Sequence, residues 1–297
     1  MKYTNRMTMK PLSELNLLDR FLFAVAMEDR ETLELVLRII VGRNLKIFDA
    51  VQTEKELRTA PWLRAIRLDV MSMDEKGVYD AEVQVRNTGN LERRSRFYQA
   101  LIDSSLLPPG EVDFNQMQDS TIIFISPFDL FGKGKYRYTF RMKCEEAEDV
   151  ELGDGATRIF LNTHGENPEE VSEELVELLR YFEHSTDEVA SECQSGRIQE
   201  LHRRISRIKS NEEIGVRYMQ AWEEKIYDRM EAKEEGREEG REEGREEGQR
   251  ELLKSMIERK LQKGKTVEAI ADELEQDLSL IKELVEELKQ EDSESQE

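Results

Sequence analysis

Residues 66–86 carry the pattern that most restricts how this chain can fold. Ile66–Met73 and Val78–Arg86 each alternate apolar and polar side chains with a period of two, and Asp74-Glu75-Lys76-Gly77 between them suits a short turn. Successive side chains of a strand point to opposite faces, so the pattern predicts an antiparallel hairpin. On its second strand Tyr79, Ala81, Val83 and Val85 form an apolar face, while Asp80, Glu82, Gln84 and Arg86 form a polar one. A turn centred between Glu75 and Lys76 sets Met73 opposite Val78, Met71 opposite Asp80, Asp69 opposite Glu82 and Arg67 opposite Gln84. Directly opposed side chains have Cβ atoms about 4.5–5.5 Å apart, and like charges there are destabilising. Two readings of the polar face stay open. It is an ordinary outer sheet face on which Arg67 and Arg86 neutralise the acids, or it is a place where a divalent cation takes both carboxylates as oxygen ligands.

The flanking sequence supplies helices and further strands. Leu12–Met27 and Glu31–Val41 place apolar residues at helical spacing, and Gly42 follows as a C-terminal stop. Lys46–Val51 is a short strand candidate, and Leu91–Leu107 a helix ended by Pro108-Pro109-Gly110. Ser120–Ser126, with Thr-Ile-Ile-Phe-Ile at its centre, is too uniformly apolar for an edge and predicts a buried central strand. Tyr136–Lys143 and Ala156–Asn162 are strands, and Pro168–Phe182 an acidic helix. Helices interleaved with strands in this way indicate an α/β domain. Beyond about residue 190 the strand signal ends. Ser206–Met230 reads as helix, and Glu234–Gly248 repeats Gly-Arg-Glu-Glu with a glycine every fourth residue. Each such glycine costs a helix about 1 kcal/mol relative to alanine, so the repeat reads as a solvated linker, helical or frayed, with a packed glycine stripe as the alternative. Glu251–Lys263 and Thr266–Lys289 close the chain as a small acidic helical unit punctuated by Gly264 and Ser279. The expected organisation is 1–205, 206–248 and 249–297.

Charge bears on partners only once it is divided along the chain. The net charge is −21, which taken whole argues against nucleic acid. Residues 1–144, however, hold 22 Lys/Arg against 20 Asp/Glu, so the acidic excess lies downstream. Two basic strips stand within the first part: Arg86 with Arg93, Arg94 and Arg96, and Lys133, Lys135, Arg137, Arg141 and Lys143. Two cysteines and three histidines (His164, His184 and His202) exclude a disulfide framework and a zinc-finger site. No apolar run is long enough to span a bilayer and Met1–Lys10 holds no apolar signal core, so a cytoplasmic protein without membrane contact is expected.

Arg67-Leu68-Asp69-Val70 followed by Tyr79-Asp80-Ala81-Glu82-Val83-Gln84 resembles the PD-(D/E)XK nuclease superfamily. More narrowly, the chain resembles the bacterial Rpn-type group of recombination-promoting, transposase-related nucleases. Leu18-Asp19-Arg20-Phe21-Leu22-Phe23, Arg93-Arg94-Ser95-Arg96-Phe97-Tyr98-Gln99, Ile122–Phe131, the glycine-glutamate repeat and the terminal helical unit also fit that group, so the resemblance covers nearly the whole chain. It implies a restriction-endonuclease-like core, a mixed central sheet flanked by helices, with an all-α C-terminal extension. It implies that Asp69 and Glu82 ligate Mg²⁺ or Mn²⁺, that Gln84 stands where the motif has lysine, and that the reaction is phosphodiester hydrolysis in DNA. Glutamine orients by neutral hydrogen bonds and cannot transfer a proton, which leaves the general base unassigned. Asp80 shares the polar face and is expected to support the ligands through water or a second metal. Arg94, Arg96 and Tyr98 are the expected nucleic-acid contacts, with Arg94 and Tyr98 sharing one helix face at i,i+4; they would contact phosphate or orient the metal ligands, and an amphipathic helix with a solvated basic edge is the other reading. Asp19 matches a family position and equally suits a helix cap or an ion pair. Double-strand cleavage with one site per chain would favour a homodimer. The alternative function is a degenerate nuclease fold that binds nucleic acid or a protein without cleaving.

Overall fold

The apolar run at Thr121–Ile125 lies at the centre of the fold because both of its faces are covered. In the computed structural model, which describes residues 9–47, 52–57, 66–107 and 110–294, it belongs to a six-stranded mixed sheet. The strands are β1 (Gln52–Leu57), β2 (Ile66–Met73), β3 (Gly77–Val83), β4 (Asp119–Ser126), β5 (Arg137–Phe140) and β6 (Ala156–Asn162), in the order β1-β2-β3-β4-β6-β5. β4 pairs in parallel with β3 and with β6, and the remaining pairings are antiparallel. Ile123 and Ile125 point to one side of β4, where helices α1 (Arg20–Glu28), α2 (Arg30–Val41), α4 (Glu173–Glu183), α5 (Asp187–Glu192) and α6 (Gly196–Lys209) bury the larger apolar core. Ile122 and Phe124 point to the other side, covered by α3 (Leu91–Asp103). A strand buried on both faces needs no polar alternation, and this one has almost none.

The hairpin forms in the expected register, with Met73 opposite Val78 and Met71 opposite Asp80. Asp74 shapes the turn: its Oδ1 accepts from the backbone N–H groups of Lys76 and Gly77, each at 2.9 Å. Gly77 is required for a steric reason, since a Cβ there would lie 2.4 Å from the carbonyl oxygen of Asp119 on β4.

Several boundaries differ from the sequence expectation, each for a local reason. The first helix starts at Arg20 instead of Leu12, because the Asp19 side chain caps it by accepting from Phe21 and Leu22 N–H; a single 3-10 turn, Leu12–Glu14, precedes it. Gly42 ends α2 at φ 74°, as expected. The strand expected at Lys46–Val51 is not formed at 46 or 47, residues 48–51 lie outside the described residues, and β1 begins at Gln52. α3 ends at Asp103, ahead of Pro108 and Pro109, which lie outside the described residues. The acidic helix is split into a 3-10 turn, Pro168–Glu170, and α4, which Ser172 caps at Leu175 N–H. Ser206–Met230 is interrupted where α6 ends at Lys209 and α7 (Glu212–Gln262) begins.

The chain divides into two compact units, Met1–Gln220 and Ala221–Glu297. Core residues of the first unit include Ile198, Leu201 and Ile205 of α6 and Tyr218 of α7. In the second unit the Gly-Arg-Glu-Glu repeat is helical, and every residue from 227 to 249 is exposed. A Cβ added at Gly236, Gly240, Gly244 or Gly248 would meet nothing within 4 Å, so among the described residues the glycines form no packed stripe. Ile257 of α7 packs with Ile270 and Ala271 of α8 (Val267–Leu274) and with Ile281, Leu284 and Val285 of α9 (Leu278–Glu294). Gly264, at φ +78°, ends α7 as expected. Ser279, expected as punctuation, instead lies within α9; Asp277 makes the break, accepting from Ser279 N–H at 2.8 Å.

Candidate functional site

The polar face of β3 lies indoors. Asp69, Asp80 and Glu82 are 4%, 0% and 3% exposed, because α3 packs across this side of the sheet through Leu91, Tyr98, Leu101 and Ile102. The solvated outer sheet face considered from alternation is therefore not formed here. Of the two arginines expected to neutralise the acids, Arg67 has its side chain outside the described residues and Arg86 is exposed.

Two arginines from different helices supply positive charge. Arg20 Nε, at the start of α1, lies 2.8 Å from Asp69 Oδ1. Arg94 Nη2, on α3, donates to Glu82 Oε2 at 3.1 Å and to Gln84 Oε1 at 2.8 Å. The Arg94 guanidinium also sits 5.4 Å from the ring centre of Tyr98 and 5.3 Å from that of Phe124, a pair of aromatic faces that favours its charge. Both ends of the Gln84 amide are engaged, since its Nε2 donates to the Arg86 carbonyl at 2.5 Å.

Satisfaction is incomplete at the centre. Among the described residues, both oxygens of Asp80, Oε1 of Glu82 and Nε of Arg94 are buried without a hydrogen-bond partner. Such atoms are uncommon in folded proteins and each is costly. The electrostatics follow. Burial, then the charges of Glu82 and Asp69, push the Asp80 carboxyl well above the carboxylate range, against the pull of Arg94. Burial, then Asp69, raises Glu82 to about 8, with Arg94 and Arg20 opposing. Tyr98 is pushed up to about 12, chiefly by burial and then by Glu82.

Two carboxylates plus water suffice for a hard cation such as Mg²⁺, which keeps several waters and takes one or two carboxylates from protein. Asp69 and Glu82 are two such carboxylates, and the partnerless oxygens of Glu82 and Asp80 are of the donor type it prefers. Among the described residues no group of three or more His, Cys, Asp or Glu side chains is placed to hold a metal ion by itself.

The structure thus gathers Asp69, Asp80, Glu82, Gln84 and Arg94 in one place. It separates the other expected contacts: Tyr98 is 9% exposed and belongs to the core beneath α3, whereas Arg96 is exposed. The Tyr98 ring packs against Phe124 and lies beneath the Arg94 guanidinium. Asp19 is a helix cap. Much of the second basic strip is engaged within the protein, with Lys135 pairing with Glu170, Lys143 approaching Glu151 to 3.9 Å, and Arg137 donating to the Ile40 carbonyl at 2.8 Å. Arg20 is the residue that spacing did not single out as a site member. It belongs to the Leu18–Phe23 segment at the head of the first helix, where nothing local ties it to an acid on the second strand. Among the described residues no helix is long and apolar enough to cross a membrane. Compared with known proteins, the chain gives no significant match to a family model, a curated protein or a solved structure.

Proposed function

We propose that this chain is a divalent-cation-dependent DNA endonuclease with a PD-(D/E)XK-type core. The observation that supports it best is the set of buried carboxylates, Asp69, Asp80 and Glu82, on one face of a hairpin, with oxygens on Asp80 and Glu82 that no protein group satisfies among the described residues. A fold gains nothing from such atoms by themselves; a cation gives them a role. Asp69 and Glu82 would hold Mg²⁺ or Mn²⁺. When bound, the ion would acidify a water and offset charge building on the phosphate. Arg20 and Arg94, from two different helices, hold the two carboxylates in place. Gln84 takes the lysine position of the motif, where its amide can orient a neighbour but carries no charge and moves no proton. The exposed Arg86, Arg93 and Arg96 lie beside this site in sequence and suit the DNA backbone.

Plasmid nicking with Mg²⁺ tests this reading. EDTA should stop it, and Asp69→Ala or Glu82→Ala should lower the rate roughly a thousandfold, about 4 kcal/mol of transition-state stabilisation. Undiminished nicking by both variants, from preparations free of contaminating nuclease, would sink the assignment.

One observation favours a second reading, a fold of this kind that binds without cleaving. Gln84 replaces the charged residue and both ends of its amide are already bonded. Calorimetry separates the two: no uptake of Mn²⁺ at millimolar concentration, with or without DNA, favours the non-cleaving protein.

A further inference from the structure

A second surface, away from the acids, is built to be covered. Among the described residues the edge strand β5 has β6 on one side only, and beyond it the chain folds into a narrow two-stranded ribbon. Lys143 pairs with Glu151 there, Leu152 N–H donates to the Met142 carbonyl, and Cys144 N–H to the Val150 carbonyl, both at 3.0 Å. This register sets Met142 across from Leu152 and Cys144 across from Val150. Alternation then puts Phe140, Met142, Cys144, Val150 and Leu152 on one face. That face continues the aromatic cluster in which Phe140 packs on Phe131 and Phe160. Met142 and Leu152 are each 63% exposed, Val150 49% and Phe140 43%. Four large apolar side chains on one exposed ribbon face are more than the scattered singles of an ordinary surface.

Charge decides what covers them. Glu145, Glu146, Glu148 and Asp149 stand at the tip, and no lysine or arginine occurs between residues 144 and 157. At the ribbon's root, Asp119, Glu151 and Asp154 line a cavity of about 290 Å³ with Arg141 and Met142. The tip is therefore wholly acidic, whereas at the root Asp119 and Asp154 outnumber Arg141, and Glu151 is already approached by Lys143 at 3.9 Å. A second copy docked tip to tip would set the tip acids against their equals. We infer that this ribbon is a docking surface for an extended protein segment whose apolar side chains alternate with or are flanked by lysine or arginine, its apolar side lying on Phe140, Met142, Val150 and Leu152. Specificity would come from a basic side chain entering the root cavity and others meeting the tip. The open edge of β5 can add main-chain hydrogen bonds.

The test uses the full chain and a labelled peptide alternating leucine and lysine, read by fluorescence anisotropy. Leucine–glutamate and serine–lysine peptides are the controls. The leucine–lysine peptide should bind at least about tenfold more tightly than either control. Met142→Ser with Leu152→Ser should weaken it about tenfold without changing the melting temperature by more than a few degrees. Glu148→Lys with Asp149→Lys, at the tip, should do the same by the charge route. Equal binding of serine–lysine peptide, or binding unmoved by both double variants, would overturn the proposal, because the acidic tail would then be the site. A wild-type dimer in sedimentation that Met142→Ser with Leu152→Ser makes monomeric would also overturn it, in favour of self-association.

Discussion

Two of the buried acids of the β2–β3 hairpin, Asp74 and Asp80, differ in how they are satisfied. At the turn, Asp74 is 5% exposed and both of its oxygens are engaged: Oδ1 accepts from Lys76 N–H, Gly77 N–H and the Tyr79 hydroxyl, and Oδ2 from Arg43 Nη1 at 3.0 Å. Three residues past Gly77, Asp80 is wholly buried and, among the described residues, its two oxygens have no partner. Both acids sit in one strand pair, so burial alone does not distinguish them. Satisfaction does. A buried carboxylate that closes a turn and holds an arginine is part of the scaffold; one that is buried and left wanting marks a place where the fold has given up stability for something else.

The largest loss of stability expected from a substitution within this contrast is at the turn. Asp74→Ala should cost about 3 kcal/mol, because it takes a partner from Arg43 and from two backbone N–H groups at once. Denaturant unfolding would measure it, and uptake of Mn²⁺ by the surviving folded protein should be unchanged. An Asp74→Ala protein as stable as wild type would remove the scaffold half of the contrast.

The acid cluster should behave oppositely, and pH shows it. Glu82 is raised in the folded protein to about 8 from 4.5. In the window between those values the folded state keeps a proton that the unfolded chain has released. Metal-free protein should therefore lose stability as pH rises from about 4.5 to about 8, with a slope of at most about 1.4 kcal/mol per pH unit from this one group. Glu82→Gln, which cannot ionise, should flatten that fall. A melting temperature that climbs steadily through this window, or falls just as steeply in Glu82→Gln, would show that the cluster is not strained as described.

How much of this could be read from the sequence depends on how local each feature is. The hairpin register was legible because one-residue slips invert both faces of a period-two strand; Met71 opposite Asp80 followed directly. The central position of β4 was legible from its uniformly apolar run. The cover over the acids was not. Alternation shows that Asp80 and Glu82 share a face, but which face receives α3 is decided by packing through Leu91, Leu101 and Ile102. The same packing took the Tyr98 ring into the core and turned Arg94 toward Glu82. Arg20 meeting Asp69 was hidden for a similar reason: a contact between the first helix and the second strand leaves no periodic trace. Helices begin at Arg20 and Glu173, later than apolar spacing and composition suggest, because Asp19 and Ser172 cap them there.

The smallest effect sharpens the contrast furthest, because it removes one atom. The Tyr79 hydroxyl, on the opposite face of β3 from Glu82, donates to Asp74 Oδ1 at 3.3 Å and accepts from Arg43, whose guanidinium carbon sits 5.8 Å from the ring centre. Burial and the neighbouring Asp74 push that hydroxyl up to about 12, so it stays a donor throughout the neutral range. Tyr79→Phe keeps the ring, and with it the apolar core and the arginine's aromatic face, while deleting the hydroxyl from the Asp74 network. Asp74 retains its two backbone donors and Arg43, so the loss should be only about 1 kcal/mol. That loss should stay constant from about pH 5 to about pH 8, the range over which titration of Glu82 makes the other face of the hairpin pH-dependent. A Tyr79→Phe penalty that changed across that range by as much as its own size would mean that the two faces of β3 are electrostatically one site, and the division between a satisfied scaffold and an unsatisfied centre would have to be redrawn.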